Sequence, residues 1–424
     1  MKMTMKAAAA AVMAVCAASA AHAAGFMLTE QSAGALGRAY AGVGVDGTDI
    51  SGVYYNPATM TLHPGTQIQA GFVAVGLDLA YEGNDGSTEN GQYNTQAIPH
   101  GYISHQLTDN MWIGLAMTVP FGMGTEYKDI WSQSDRGISA EVLTFDFNPN
   151  VAWKVSDKLS LGAGMSIQYA AADLKKRVRN SAFEQVGGYA NSEIDADSLA
   201  WGFNIGLMWS PLENLRFGLS YRSQINHNAD GDLTIGDAGS FDKVEMSGDL
   251  MTLDASATLS APAWAMATAA WDVNDLLSLY ATFRWTNWSS FEELTIETNM
   301  AGVGDTIQNH WQDAYLFSVG ADLRFTNWWT FRAGIGYETS AVDDPKYRTA
   351  IIPDADRLWL ALGSSFKATE NMQIDVSAAW LHGIGERNLW SSDGSNPIED
   401  TPEKAGKFED LDAYLFGVQL VYKF

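Results

Sequence analysis

The chain has 424 residues, a formal net charge of −25 and one cysteine, Cys16. That acidic excess argues against a nucleic-acid partner, because phosphate backbones need a basic footprint. Hydrophobic residues are 46% of the chain, yet no apolar run of about 18 residues, the length a membrane helix needs, follows Ala23.

Met1-Lys2-Met3-Thr4-Met5-Lys6 is a short positive segment, and an apolar run from Ala7 to Ala20 follows. Ala21-His22-Ala23 then offers a small-x-small cleavage site, so residues 1–23 read as a secretory signal peptide. Cys16 leaves with it, and the mature chain has no thiol chemistry.

Residues 24–65 lack spanning character. Ser32 to Gly42 is rich in small residues and contains Arg38; Asn56-Pro57-Ala58 follows Tyr54-Tyr55 and begins a turn. Proline disfavours helix at Asn56. Such a segment could be a periplasmic tail or a plug. Small residues pack tightly in a lumen, so 24–65 is expected to be an N-terminal hatch domain.

From residue 66 to 424 the signal is period-two alternation. Leu199, Trp201, Phe203, Ile205, Leu207 and Trp209 oppose Ala200, Gly202, Asn204, Gly206 and Ser210. Successive strand side chains point to opposite faces. An apolar face ending in aromatics, with a small or polar opposite face, marks a transmembrane barrel. Soluble sandwiches alternate too, but their strands average about 5–6 residues, and glycine and serine make a poor packed core. The pattern predicts a fourteen-stranded antiparallel β-barrel. Its strands lie near 67–81, 97–107, 111–127, 138–155, 159–178, 196–210, 215–234, 248–271, 276–298, 310–325, 328–339, 356–366, 371–384 and 410–424. The first and eighth alternate poorly, and the eighth contains Pro262. Short turns alternate with long loops near 82–95, 179–195, 235–247, 340–355 and 385–409, as in outer-membrane barrels. The last strand ends on Phe424, with Tyr414, Phe416, Val418, Leu420 and Tyr422 on its face. This resembles the signal read by the barrel-assembly machinery.

In the third strand Met111, Ile113, Leu115, Met117, Val119 and Phe121 are predicted to face outward, with Pro120 toward the lumen. Proline cannot donate to a ladder, so Pro120, Gly122 and Gly124 suggest either an inward break of the wall or a harmless bulge. On the fifth strand the phase points Lys176 inward, and Lys175, Arg177 and Arg179 outward toward lipopolysaccharide phosphates. Lumen-facing Arg216, Arg222, Arg284, Asp322, Arg324, Arg332, Glu338 and Asp375 read as ion pairs tying the wall to the hatch, with Arg38 joining them. Histidines show no metal-ligand spacing, and no Gly-x-Ser-x-Gly elbow occurs. No catalytic residue, metal or cofactor is expected. A general porin and an outer-membrane phospholipase are the competing readings. The porin is disfavoured by the hatch-like segment, the phospholipase by the lack of a Ser/His pair at the outer lipid face.

Several motifs, in order along the chain, carry a resemblance. They are Ala24-Gly25-Phe26, Gly37-Arg38-Ala39-Tyr40, Asn56-Pro57-Ala58, Gly122 to Tyr127, Trp201 to Asn204, Asp313-Ala314-Tyr315, Trp329 to Gly334 and Pro353 to Arg357. Together they resemble the FadL-type outer-membrane transporters. The resemblance implies a fourteen-strand barrel with an N-terminal hatch and energy-independent uptake of long-chain fatty acids, or of aromatic hydrocarbons in some relatives. It implies that the kinked third strand, Pro120-Phe121-Gly122 to Gly124, opens a lateral exit into the membrane. The family's carboxylate-binding arginine maps nearest to Lys176, while its second basic partner maps near the uncharged Gln312. Phe26 and Val119 become ligand-contact candidates. The expected partners are a hydrophobic small molecule and outer-membrane lipid, and the chain is expected to act as a monomer.

Overall fold

The computed structural model describes residues 24–91, 95–128, 131–179, 189–237, 249–300, 303–390 and 404–424. Residues 1–23, read as a signal peptide, lie outside these. Among the described residues, antiparallel strands make fourteen spans that close into one barrel. They begin with β1 (Thr66–Gly83), β2 (Thr95–Thr108), β3 (Met111–Thr118, then Gly122–Glu126), β4 (Ser139–Ser156), β5 (Leu159–Arg179) and β6 (Tyr189–Leu212). Next come β7 (Leu215–Arg222, Ile225–Asp237), β8 (Asp249–Ala261, Trp264–Asp272), β9 (Leu277–Thr286, Glu293–Thr298) and β10 (Gly304–Gln308, Ala314–Arg324). The ring ends with β11 (Trp329–Glu338), β12 (Asp356–Lys367), β13 (Met372–Ile384) and β14 (Lys404–Lys423). Gln67 of β1 lies opposite Lys423 of β14 and closes the ring. Closure satisfies strand backbones from within the protein, the condition for crossing lipid with a sheet.

The faces follow the alternation. On β6, Leu199, Trp201, Phe203, Ile205 and Trp209 are exposed on the outer wall, while Gly202, Asn204, Gly206 and Met208 are buried. Several strands nevertheless run further than the apolar alternation, because its polarity inverts partway up. Above Leu199 the outward positions of β6 become Asp197, Asp195 and Glu193, and the inward ones become Ala196 and Ile194. The period stays at two while the solvent outside changes from lipid to water. This is why β6 begins at Tyr189 rather than near 196.

Above that level β5 to β10 form a lobe with its own apolar core of Ala190, Ile194, Leu233, Leu253, Ala255 and Ile296. The wall bends where strands are interrupted side by side. β7 breaks between Arg222 and Ile225, and β8 breaks opposite it between Ala261 and Trp264, at Pro262. The 3-10 turn Trp288–Ser290 interrupts β9.

Residues ahead of β1 form short helices, α1 (Ala33–Leu36) and α2 (Gly52–Tyr55), and a 3-10 helix, Pro57–Leu62. Ser32 caps α1 by accepting from Ala35 N–H at 3.0 Å. From Ala24 to Met60 every residue is buried except the half-buried Gly47 and Thr48. Its partners come from opposite sides of the ring, so the segment sits within it. A Cβ at Gly334 of β11 would lie 2.6 Å from Arg38 Cα, and one at Gly162 of β5 would lie 2.9 Å from Pro57 Cβ. Only glycine walls allow such approach.

Candidate functional site: a wall opening edged by the N-terminal segment

β2 and β3 separate above the pair Gly101–Met117. β2 continues on its β1 side to Thr95. β3 resumes at Gly122 but pairs only with β4. Among the described residues, no ladder joins Thr95–His100 to Thr118–Glu126. On the β4 side Thr118 opposes Asp146 and Gly122 opposes Leu143. Three residues, Val119, Pro120 and Phe121, therefore face two. This is a bulge, built on a proline that cannot donate. Thr144 repairs it: Phe121 N–H donates to Thr144 Oγ1 at 2.9 Å, and Thr144 N–H to Phe121 O at 2.9 Å. The extra residue shifts the phase. Val119 and Phe121, predicted to face outward, are each only 2% exposed.

The inner edge freed by this bulge is taken by the N-terminal segment. Leu28 N–H donates to Pro120 O at 2.8 Å, Gly122 N–H donates to Phe26 O at 2.9 Å, and Met27 bridges Phe121. Gln31 extends the pairing with its carboxamide, donating to Val119 O at 2.6 Å and accepting from Val119 N–H at 3.2 Å. A Cβ at Gly122 would meet Leu28 Cδ1 at 2.8 Å, so glycine there admits the segment. Gly124 continues β3 opposite Glu141. In effect Phe26 to Gln31 stands in for the missing β2 partner, through hydrogen bonds to Val119, Pro120 and Gly122.

Phe26 anchors a buried aromatic cluster beside this edge. Its ring lies 4.7 Å from Trp288, 5.6 Å from Phe291, 6.0 Å from Phe121 and 6.3 Å from Trp311. The arrangement is mostly edge-to-face, the favoured geometry for ring quadrupoles. Trp288 and Phe291 sit in the interruption of β9, and Trp311 in that of β10. Sequence reasoning singled out Phe26 and missed these three. The available signal was aromatic density where alternation fails.

The remaining N-terminal residues are fixed to the wall. Arg38, fully buried, pairs with Asp46 and, at 3.0 Å, with Asp322 of β10, and stacks over Tyr280 at 4.3 Å. Arg332 of β11 joins Asp322 at 3.6 Å and Asp375 of β13 at 3.3 Å, and donates to Gly34 O at 3.0 Å. Arg222 pairs with Asp146, and Arg284 with Glu338. Arg216 and Arg324 share Asp272. Asn56, extended as Pro57 demands, caps the 3-10 helix by accepting from Ala58 N–H at 3.2 Å and donates to Leu207 O at 3.0 Å. Burial pushes the Asp49 carboxyl up, but hydrogen bonds from Ser51, Gln419 and Ser32 outweigh it and hold Asp49 below the usual carboxylate range.

Lys176 points into the lobe, as its phase predicts, and its ammonium is paired with Asp305 of β10. Gln312 donates to Ser340 O at 3.3 Å and has no contact with Lys176 among the bonds described. The lobe cation and the Phe26 cluster are thus separate features, and no second cation joins Lys176 in the described geometry.

A ring filled by the N-terminal segment, with a buried aromatic cluster beside a wall gap that this segment borders, suits a solute that prefers lipid to water. The family model for outer membrane protein transport proteins (OMPP1/FadL/TodX) matches residues 14–424. The long-chain fatty acid transport protein of Escherichia coli O6:H1 is 26% identical over 435 aligned positions, covering 95% of this chain and 94% of that protein. The crystal structure of a Pseudomonas aeruginosa FadL homologue superposes with a TM-score of 0.83 at 24% identity, covering 95% of this chain and all of that one. The Pseudomonas putida toluene transporter TodX superposes with a TM-score of 0.70 at 17% identity, covering 94% and 99% of the two chains.

Proposed function

This chain belongs to the outer membrane protein transport family (OMPP1/FadL/TodX), whose members carry hydrophobic compounds across the outer membrane, and on that premise we propose that its cargo is long-chain fatty acid, released sideways through the β2–β3 gap. The observation that carries the route is the bulged β3 edge, joined to the N-terminal segment rather than to β2. In this reading residues 24–65 act as the hatch, blocking the direct path along the lumen. Cargo entering from outside meets the Phe26–Trp288–Phe291–Trp311 cluster. When Phe26 to Gln31 lets go of β3, the cargo passes between β2 and β3 into hydrocarbon and avoids the polar headgroups.

Fatty acid is favoured by a long-chain fatty acid transport protein that matches 95% of this chain. It is also favoured by Lys176, which could exchange Asp305 for a cargo carboxylate as a point charge, without the bidentate fork an arginine would bring. Aromatic hydrocarbon is the second reading, favoured by the aromatic cluster and by a Lys176 already neutralised. Organic extraction of the purified protein, with mass spectrometry of the bound compounds, separates them. Fatty acids of about 14–18 carbons, the order expected for membrane acyl chains (~30 Å of hydrocarbon in two leaflets), support the first reading; neutral aromatics, with no oleate uptake by cells expressing the chain, overturn it.

A further inference from the structure

The N-terminal edge segment carries an acid that the transport route does not use. Glu30 lies two residues beyond Leu28 and is 0% exposed, and neither of its carboxylate oxygens has a hydrogen-bond partner in the structure. The charged groups facing it are Arg284 of β9, Glu338 of β11 and Arg357 of β12, and within the segment the phenol of Tyr40. Both cations are already matched. Arg284 pairs with Glu338 at 2.8 Å and also donates to Thr29 Oγ1 at 2.9 Å. Arg357 pairs with Asp354 and reaches Glu338 only at 3.9 Å. Two cations against Glu338 and Asp354 leave the cluster neutral. Ionised Glu30 would then be a surplus negative charge, fully buried, with no side-chain hydrogen bond and another carboxylate nearby. A buried charge without pairing is among the costliest arrangements a protein interior can hold.

We propose that Glu30 is a proton-operated latch: protonated, it lets Phe26 to Gln31 lie against the β3 edge, and ionised, it drives that segment off and opens the wall between β2 and β3. The proposal rests on reading that edge as the exit. Chemistry and position both point this way. Thr29 and Gln31, on either side of Glu30, hold the segment: Tyr55 OH donates to Thr29 O at 2.6 Å and Tyr102 OH donates to Gln31 O at 2.5 Å. Moving Glu30 to water therefore disturbs the contacts that also seat Leu28 on Pro120. Burial, the largest influence, with Glu338 adding to it, pushes the Glu30 carboxyl up to about 7; its own backbone amide and the two arginines oppose the rise only in part.

The direction of the effect follows from linkage. In the released segment Glu30 would titrate near its ordinary 4.5, and in the seated segment near 7. Below the first value both forms hold the proton and pH has no leverage. Between the two, release liberates a proton, so raising the pH favours release. Above about 7 both forms are ionised and the effect levels off.

Hydrogen exchange on the full chain in detergent reads this directly, through the amides of Leu28 and Gly122 that seal the edge. Protection factors, corrected for intrinsic rates, should fall on the order of 50-fold between pH 5 and 7.5 in the wild type. The amide of Ile167, within the β5 ladder, should not change. Glu30→Gln should abolish the dependence and stay protected throughout, with Glu30→Asp retaining it. Wild-type protection that does not vary with pH overturns the latch, whether or not the variants assemble, and so does an unchanged dependence in Glu30→Gln. The readout needs no cargo. If the amides respond while uptake is indifferent to β3, the latch stands and the exit reading fails.

Discussion

Arg38 illustrates how much of the N-terminal segment hangs on single side chains. Its guanidinium is wholly buried between Asp46 and Asp322 and covers Tyr280. Arg38→Ala would strand two buried carboxylates, a loss of about 3–5 kcal/mol for a broken buried pair. Urea unfolding should show the destabilisation, and the loosened segment should raise ion conductance in planar bilayers. Lys176 poses a smaller question, because it and Asp305 are each about a quarter exposed. As a headgroup partner it should bind better once its competitor is neutral. Asp305→Asn is expected to tighten fatty-acid binding several-fold, about 1 kcal/mol for one freed charge-assisted contact, and Lys176→Ala to weaken it by as much. Equal affinities in a spectroscopic binding assay would leave Lys176 a rim charge. The inward phase of Lys176 was legible from alternation. Its partner was not, since alternation gives a side chain's face but not which distant strand folds over to meet it.

At the scale of elements, β3 is the place where a strand rule failed usefully. Proline and two glycines signalled irregularity, and alternation continued through them put Val119 and Phe121 on the wrong face. The bulge adds one residue against β4, and a single extra residue reverses every side chain after it. Replacing Pro120, Gly122 and Gly124 together with valine should restore strand propensity and disfavour the inward step. It should also drive Leu28 away through a new Cβ at 122. The expected result is a barrel that still shows heat-modifiable mobility on gels but has lost most fatty-acid uptake. Unchanged uptake would remove the lateral exit. A second check uses the bridge itself. Met27→Cys with Phe121→Cys places two thiols on an antiparallel pair, in a mature chain expected to have no other cysteine. The oxidised form should block uptake, and reduction should restore it.

For the whole molecule, the question is what an acidic, alternating chain becomes when its outside is lipid below and water above. The outward positions of β6 change from Trp201 and Leu199 to Asp197 and Asp195 along one unbroken strand. The barrel wall and the lobe above it are therefore one sheet in two solvents. Because residues 24–60 fill the ring, the intact chain should conduct poorly as single channels, and a chain lacking residues 26–62 should conduct as a wide pore. High conductance from the intact chain would favour an open porin. Sequence alone determined the barrel, its strand number, the orientation of its apolar belt and the presence of a small-residue segment ahead of it. All of these are local, written in period-two hydrophobicity and in proline and glycine chemistry. Only the tertiary structure decided that Phe26 to Gln31 closes the β3 edge, that Trp288, Phe291 and Trp311 surround Phe26, that Lys176 meets Asp305, and that Glu30 is sealed without a counter-charge. Each joins residues far apart in the chain, and such pairings are set by how the ring closes and bends, which no local pattern encodes.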